Sequence, residues 1–210
     1  MKRCVIMLDG PEKTDAIKRE LAKDDVIVAV DRGLDTCFTL DRPPAVAILG
    51  DGNASDRACD WAAFSGAARE EYRPRDGSSG FELALEWALT ADDVGSVDVL
   101  NALGRTATDD LSRMLIFTRD RGETVPLHLL TEKQRVFVLS GGYTLNGKPK
   151  DEFSLLPLDP GSAVHVRNGK SDLVLAKLAA GSGVLLRQKL EGATANLTVT
   201  AGRFLAYLPR

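Results

Sequence analysis

The sequence has no long apolar run and no excess of basic charge. No hydrophobic stretch approaches the ~18 residues of a membrane span, so a membrane partner is not expected. The apolar run in the N-terminal "MKRCVIMLDGPEK" meets Asp9 too early for a signal peptide and reads as a first strand. Lys and Arg number 27 against 30 Asp and Glu, and the net charge of −3 gives no general attraction to nucleic acid or to an anionic membrane. No basic run interleaved with aromatics occurs, which argues against nucleic acid as a partner. Cysteine is scarce. Cys4, Cys37 and Cys59 are odd in number and lack metal-ligand spacing, so they read as reduced thiols in a cytoplasmic protein. Histidine is scarcer still: His128 in "PLHLL" and His165 in "AVHVR" have no neighbouring ligand or nucleophile pattern, and each reads as a packed or surface-facing strand residue. The Gly-x-x-x-x-Gly-Lys-Ser/Thr phosphate loop and the Gly-x-Gly-x-x-Gly turn are both missing, which removes the common nucleotide fingerprints.

What is present is an ordinary globular composition, 44% hydrophobic and 27% charged over 210 residues, long enough for one large domain or two small ones. "RCVIML", "DVIVAV", "PPAVAILG", "SVDVLNALG" and "PLHLLT" are short, apolar and β-branched, as buried parallel strands are. Between them "KTDAIKRELAKDD", "SDRACDWAAF", "SSGFELALEWAL" and "TDDLSRMLIFTRDRG" carry helical spacing, and Ser79 with Glu82 forms a capping-box signature. Trp61 and Trp87 fall at core spacing on two of these helices, and "TRDR" reads as a solvated helix end. Strands alternating with helices imply a parallel sheet with right-handed crossovers. After about residue 133 the pattern changes to short strands between Gly, Pro and Asn turns, ending in "NLTVTAGRFLAYL", which reads as a hairpin. The expected organisation is an α/β domain over residues 1–133 and a small all-β sandwich over 134–210.

Ligands of open parallel sheets bind beyond the carboxyl ends of the strands. Four polar stretches are expected there: "DRGLD", "GDGNASD", "RPRDGSSG" and "GRTATDD". Each combines glycine, which lets backbone amides approach phosphate, with a carboxylate that can hold Mg²⁺ on phosphates. Any one of them alone is as well explained as a polar turn with a helix cap. Asp31, Asp51, Asp76 and Asp109 together, on one edge of one sheet, point to a phosphate or metal site.

The order of these motifs resembles thiamine pyrophosphokinase from end to end. That family carries Asp-Gly-Gly after a strand, Pro…Gly-Asp-Phe-Asp-Ser, Lys-Asp-x-Thr-Asp-x-Glu-x-Ala-Leu, Gly-Gly-Arg-x-Asp-His, and a Ser-Leu-x-Pro-Leu strand. The corresponding stretches here are "DRG" at 31–33, "PPAVAILGDGNAS" at 43–55, "RDGSSGFELAL" at 75–85, "LGRTATDDL" at 103–111 and "SLLPL" at 154–158. The resemblance implies a Rossmann-like nucleotide-binding domain, a β-sandwich for substrate binding and dimerisation, and a homodimer. It also implies transfer of the pyrophosphoryl group of ATP to the hydroxyl of thiamine, giving thiamine diphosphate and AMP. By the same resemblance, Asp51 and Asp76 are catalytic, and Asp31, Arg32, Gly33, Gly50, Arg75 and Arg105 bind the nucleotide. Mg²⁺ falls to Asp51, Asn53, Asp76 and Asp109, and the thiamine contact to Thr194 or Asn196.

Departures from the family pattern are concentrated at the site. Arg32 replaces a glycine, Asn53 stands in place of the second aspartate, no aspartate follows Asp76, and Asp110 replaces histidine after an inserted-looking "TAT". Such transfer depends on positioning and charge neutralisation, so each missing carboxylate bears directly on rate. Three readings stay open on the sequence: an active enzyme with an altered metal site, a pyrophosphokinase for another hydroxymethyl acceptor, and a binding protein that kept the fold without the chemistry.

Overall fold

The computed structural model describes residues 1–50, 54–73, 77–103, 106–118 and 125–210. The chain is a mixed α/β protein that divides into two compact units, Met1–Glu132 and Lys133–Arg210. In the first unit the apolar runs form β1 (Lys2–Met7), β2 (Val26–Val30), β3 (Val46–Leu49), β5 (Val94–Leu100) and β6 (Leu127–Leu130). A further strand, β4 (Ala68–Glu71), escapes the hydrophobic pattern because all four of its residues are exposed on the edge of the sheet. The order is β4-β3-β2-β1-β5-β6, and every neighbouring pair is parallel. Strand order reverses between β1 and β5, which places a topological switch point at their carboxyl ends.

Near-continuous burial of β1, from Cys4 to Met7, follows from helices on both sheet faces. One face packs Val5, Met7, Ile27, Ala29, Ala47 and Leu49 against residues of α1 (Thr14–Glu20), α2 (Gly33–Thr39) and α3 (Asp56–Phe64). The helix α4 (Gly80–Thr90) packs against β1, β2, β3 and β5 and buries Phe81, Ala84, Leu85 and Ala88. Each large side chain buried this way contributes about 1.5–3 kcal/mol. Trp61 packs edge-on against Phe38, with centroids 5.6 Å apart, and Trp87 is half-buried on α4, so both tryptophans serve packing. Burial pushes the Cys4 and Cys37 thiols up to about 12, so these free cysteines stay protonated.

An ionic network closes the amino-terminal edge of the sheet. Arg3 donates to both carboxylate oxygens of Asp25 at 2.9 and 2.6 Å and to Asp98 at 3.1 Å. Asp98 is 7% exposed and shares its other oxygen with His128 Nδ1 at 2.9 Å. His128 is thus packed against a carboxylate, in line with its position on a strand.

In the second unit, β12 (Gln188–Lys189), β9 (Glu152–Pro157), β14 (Phe204–Pro209) and β7 (Gln134–Leu139) lie side by side, antiparallel. A second antiparallel sheet runs β11 (Ser171–Leu178), β10 (Ser162–Asn168), β13 (Thr194–Ala201) and β8 (Gly142–Asn146). A 3-10 turn at Gly183–Leu185 is the one helical element of this unit. The expected C-terminal hairpin does not form. β13 pairs with β10 and β8, whereas β14 pairs with β7 and β9, so the two strands enter different sheets. The connection turns at Gly202, whose φ of +68° is a left-handed conformation open to glycine, and a Cβ there would lie 2.3 Å from Ser162 Oγ.

Candidate functional site

The carboxyl ends of β1, β2 and β4 open onto a cleft of about 170 Å³ within the first unit. Leu8 and Asp9 follow β1, Val30 and Asp31 end β2, and Tyr72 follows β4. Ser79, Gly80 and Phe81 contribute the start of α4, and Asp109, Ser112, Arg113 and Ile116 contribute one side of α5 (Ala107–Thr118). The sheet edge expected to hold the chemistry therefore carries a concave, carboxylate-lined cavity.

Asp31 has a positive φ of 49°, a conformation uncommon for a non-glycine residue. Its carboxylate accepts the Gly50 amide at 2.8 Å on one oxygen and the Tyr72 hydroxyl at 2.7 Å on the other. The strand end of β2 is thereby tied to the ends of β3 and β4. Burial, together with the hydrogen bond to Asp31 and its charge, pushes the Tyr72 phenol up, against a smaller opposing effect of a backbone hydrogen bond from Gly80. Tyr72 therefore stays a proton donor.

Next to Asp31, the Arg32 side chain is exposed and Gly33 is buried. A Cβ on Gly33 would lie 2.0 Å from the Met7 carbonyl oxygen, so glycine is required for α2 to press against the end of β1. Close packing on protein backbone accounts for this position without any ligand.

Asp109 sits in the first turn of α5. Its amide donates to Thr106 Oγ1 at 3.2 Å and its carboxylate accepts the Thr106 amide at 3.1 Å. This is a reciprocal cap with aspartate in the third helical position. The inserted-looking "TAT" is therefore the helix start, and a Thr-x-x-Asp spacing in the sequence carries that signal.

Arg113, one turn further along, belongs to no sequence motif. Its guanidinium donates to the main-chain oxygens of Asn101 at 2.9 Å, Ala102 at 3.4 Å and Asp9 at 2.8 Å. It thus stitches the segments after β1 and β5 together at the switch point. Burial pulls its pKa down, against the charges of Asp109, Asp9 and Asp110, and an arginine keeps its proton throughout. Its fixed positive charge lines an otherwise acidic cleft.

Asp51, Asn53, Arg75, Asp76 and Arg105 lie outside the described residues. Among the described residues, no group of three or more His, Cys, Asp or Glu side chains could hold a metal ion. Asp31 is engaged by Gly50 and Tyr72, and Asp109 by the α5 cap, so the described part of the cleft is not a metal cage by itself. Thr194 and Asn196 are exposed on β13 in the second unit, where Asn196 accepts a hydrogen bond from Thr144 at 3.0 Å.

Comparison of the whole fold with solved structures returns thiamine pyrophosphokinases. The enzyme from Bacillus subtilis is 16% identical, with 99% of each chain covered and a TM-score of 0.82. That from Geobacillus thermodenitrificans is 18% identical, covering 100% of this chain and 98% of its own, with a TM-score of 0.77. The Candida albicans enzyme is 14% identical, covering 99% of this chain and 88% of its own, with a TM-score of 0.76. No protein-family model matches the sequence, and no curated protein matches it either. The chain has the thiamine pyrophosphokinase fold, at sequence identities that speak for the fold alone.

Proposed function

We propose that the protein is a pyrophosphokinase of the thiamine pyrophosphokinase type, with ATP in the cleft beyond β1, β2 and β4. The observation that supports this most is the coincidence of a full-length fold match with a cleft at the carboxyl edge of the parallel sheet. In this reading the oxygen of an acceptor hydroxyl attacks the β-phosphorus of ATP. The new O–P bond forms as the bond from that phosphorus to the bridging oxygen breaks, AMP leaves, and the hydroxyl proton is released. Phosphoryl chemistry of this kind draws its rate from positioning and charge neutralisation.

Arg113 supplies fixed positive charge to the cleft while holding its two flanking segments together. Asp31 binds the Gly50 amide and so holds the residue that precedes Asp51 in the sequence. The proposal assigns catalysis to Asp51 and Asp76, with Mg²⁺ held by these two, Asn53 and Asp109. A bound metal would supply further neutralisation of the phosphate chain. Arg32, Gly33, Arg75 and Arg105 complete the nucleotide contacts of this reading. We also assign a Rossmann-like role to the first unit and a β-sandwich role to the second, with Thr194 or Asn196 meeting the acceptor in a homodimer.

The second reading is a protein that binds a nucleotide or vitamin without turnover, or that serves another acceptor. It is favoured by one observation: two of the cleft carboxylates that the motifs offer, Asp31 and Asp109, already serve local structure. Calorimetric titration with ATP separates the two. The enzyme reading expects Mg²⁺ to tighten ATP binding by about tenfold or more, the scale of one charge-assisted interaction. Binding indifferent to Mg²⁺ would favour the non-catalytic protein.

A further inference from the structure

Tyr72 belongs to no motif, yet it stands where three strand ends and a helix start meet. Its amide donates to the Leu49 carbonyl at 3.0 Å, which holds the residue beside the end of β3. Its ring lies on Gly80, where a Cβ would come within 2.9 Å of a ring carbon and 2.7 Å of Val30 Cγ1. Glycine at the first position of α4 is what allows this approach. The Tyr72 hydroxyl donates its proton to Asp31 at 2.7 Å. Asp31, with its other oxygen, holds the Gly50 amide.

We infer that Tyr72 is a positioning residue of the cleft: its hydroxyl, acting through Asp31, fixes the end of β3, while its ring packs on the first residue of α4. The relay runs from the Tyr72 hydroxyl to one oxygen of Asp31, and from the Gly50 amide to the other. Both bonds are directional, and in the sequence Gly50 immediately precedes the polar stretch "DGN". A phenylalanine would fill the same space and remove the relay's first donor. Asp31 lies at positive φ, where its carboxylate faces both partners at once. The inference rests on the proposed function only for what the cleft holds.

The test compares wild type with Tyr72→Phe, Asp31→Asn and the double variant. Amide hydrogen exchange of the ligand-free protein reads the relay directly, because it reports local opening group by group. Tyr72→Phe is expected to speed exchange of the Gly50 amide, which the Tyr72 hydroxyl reaches through Asp31, by about tenfold or more, the scale of losing a hydrogen bond to a charged group. Amides in the core of β1 keep their protection, and the double variant is no worse at Gly50 than Asp31→Asn alone. In Asp31→Asn the Tyr72 phenol titrates below its wild-type value, a shift that a purely packing role would not produce. Affinity for ATP in the presence of Mg²⁺ falls by a similar factor in each single variant. Unchanged Gly50 exchange in Tyr72→Phe, or effects of the two substitutions that simply add, would overturn the relay. If wild type binds no ATP, the functional reading falls while the exchange data still decide the relay.

Discussion

At the scale of single residues, a position in a motif and the work a side chain does can be different things. Gly33 matches a family glycine, and the structure gives it a packing reason: a methyl group there would overlap the Met7 carbonyl at 2.0 Å. Gly33→Ala is expected to destabilise the fold by about 1–3 kcal/mol, the cost of forcing volume into a packed contact. Chemical denaturation measures it, and a change within ~0.5 kcal/mol would show that α2 can shift freely. Asp31 and Asp109 were both legible as carboxylates at strand ends. The partners of Asp31 were not, because Gly50 and Tyr72 meet it only after the chain has folded, whereas Thr106 stands three residues before Asp109 in a readable cap spacing. Arg113 left no trace in the sequence, since a single arginine within "LSRMLIF" has the look of a solvated helix residue.

At the scale of elements, the buried strands were readable because apolar, β-branched runs have few other homes. The exposed strand β4 was not, since "AREE" on a sheet edge carries no hydrophobic signal. The final hairpin was misread for a related reason. Alternation and a Gly turn mark two strands, but whether they pair with each other depends on the sheets around them, and here each had two better-placed neighbours. The capping box at Ser79 and Glu82 was readable from four residues and is present, with Ser79 accepting the Glu82 amide and Glu82 accepting that of Ser79.

The network that ties β1, β5 and β6 at their amino-terminal edge gives a pH-dependent prediction. Burial works to raise the Asp98 carboxyl, but the hydrogen bonds and charges of His128 and Arg3 outweigh it and hold it below its ordinary 3.8. A carboxyl depressed on folding stabilises the native state above its unfolded pKa, and that stabilisation is lost as pH falls through the lower folded value. The contribution of Asp98 is therefore complete above about pH 5 and disappears in strong acid. Asp98→Asn is expected to cost about 1–3 kcal/mol at neutral pH and progressively less as pH falls below the ordinary carboxyl value, as read from denaturation midpoints at neutral and acid pH. An equal cost at both pH values would mean that the ionised carboxyl is not what holds these strands.

At the scale of the whole molecule, the fold was legible because motif order constrains far more than any one motif. Five stretches spread over the chain, in the right order, pointed to an architecture that solved structures match over 99% of its length at 16% identity. The same degree of divergence explains why the chemistry was harder to read. A parallel sheet tolerates any apolar substitution that keeps its volume, whereas a site depends on individual oxygens and their neighbours. The departures at Arg32, Asn53 and Asp110 fall in the stretches that the sequence resemblance assigns to the site.

The central claim is that this scaffold still transfers a pyrophosphoryl group. Its most direct test is a mass-spectrometric assay of the purified protein with ATP, Mg²⁺ and thiamine, scored for AMP and thiamine diphosphate. The account predicts both products in equal amounts, and their loss in Asp51→Ala. AMP and thiamine diphosphate at background in the wild-type protein would contradict it, and would leave the fold with another acceptor or with binding alone.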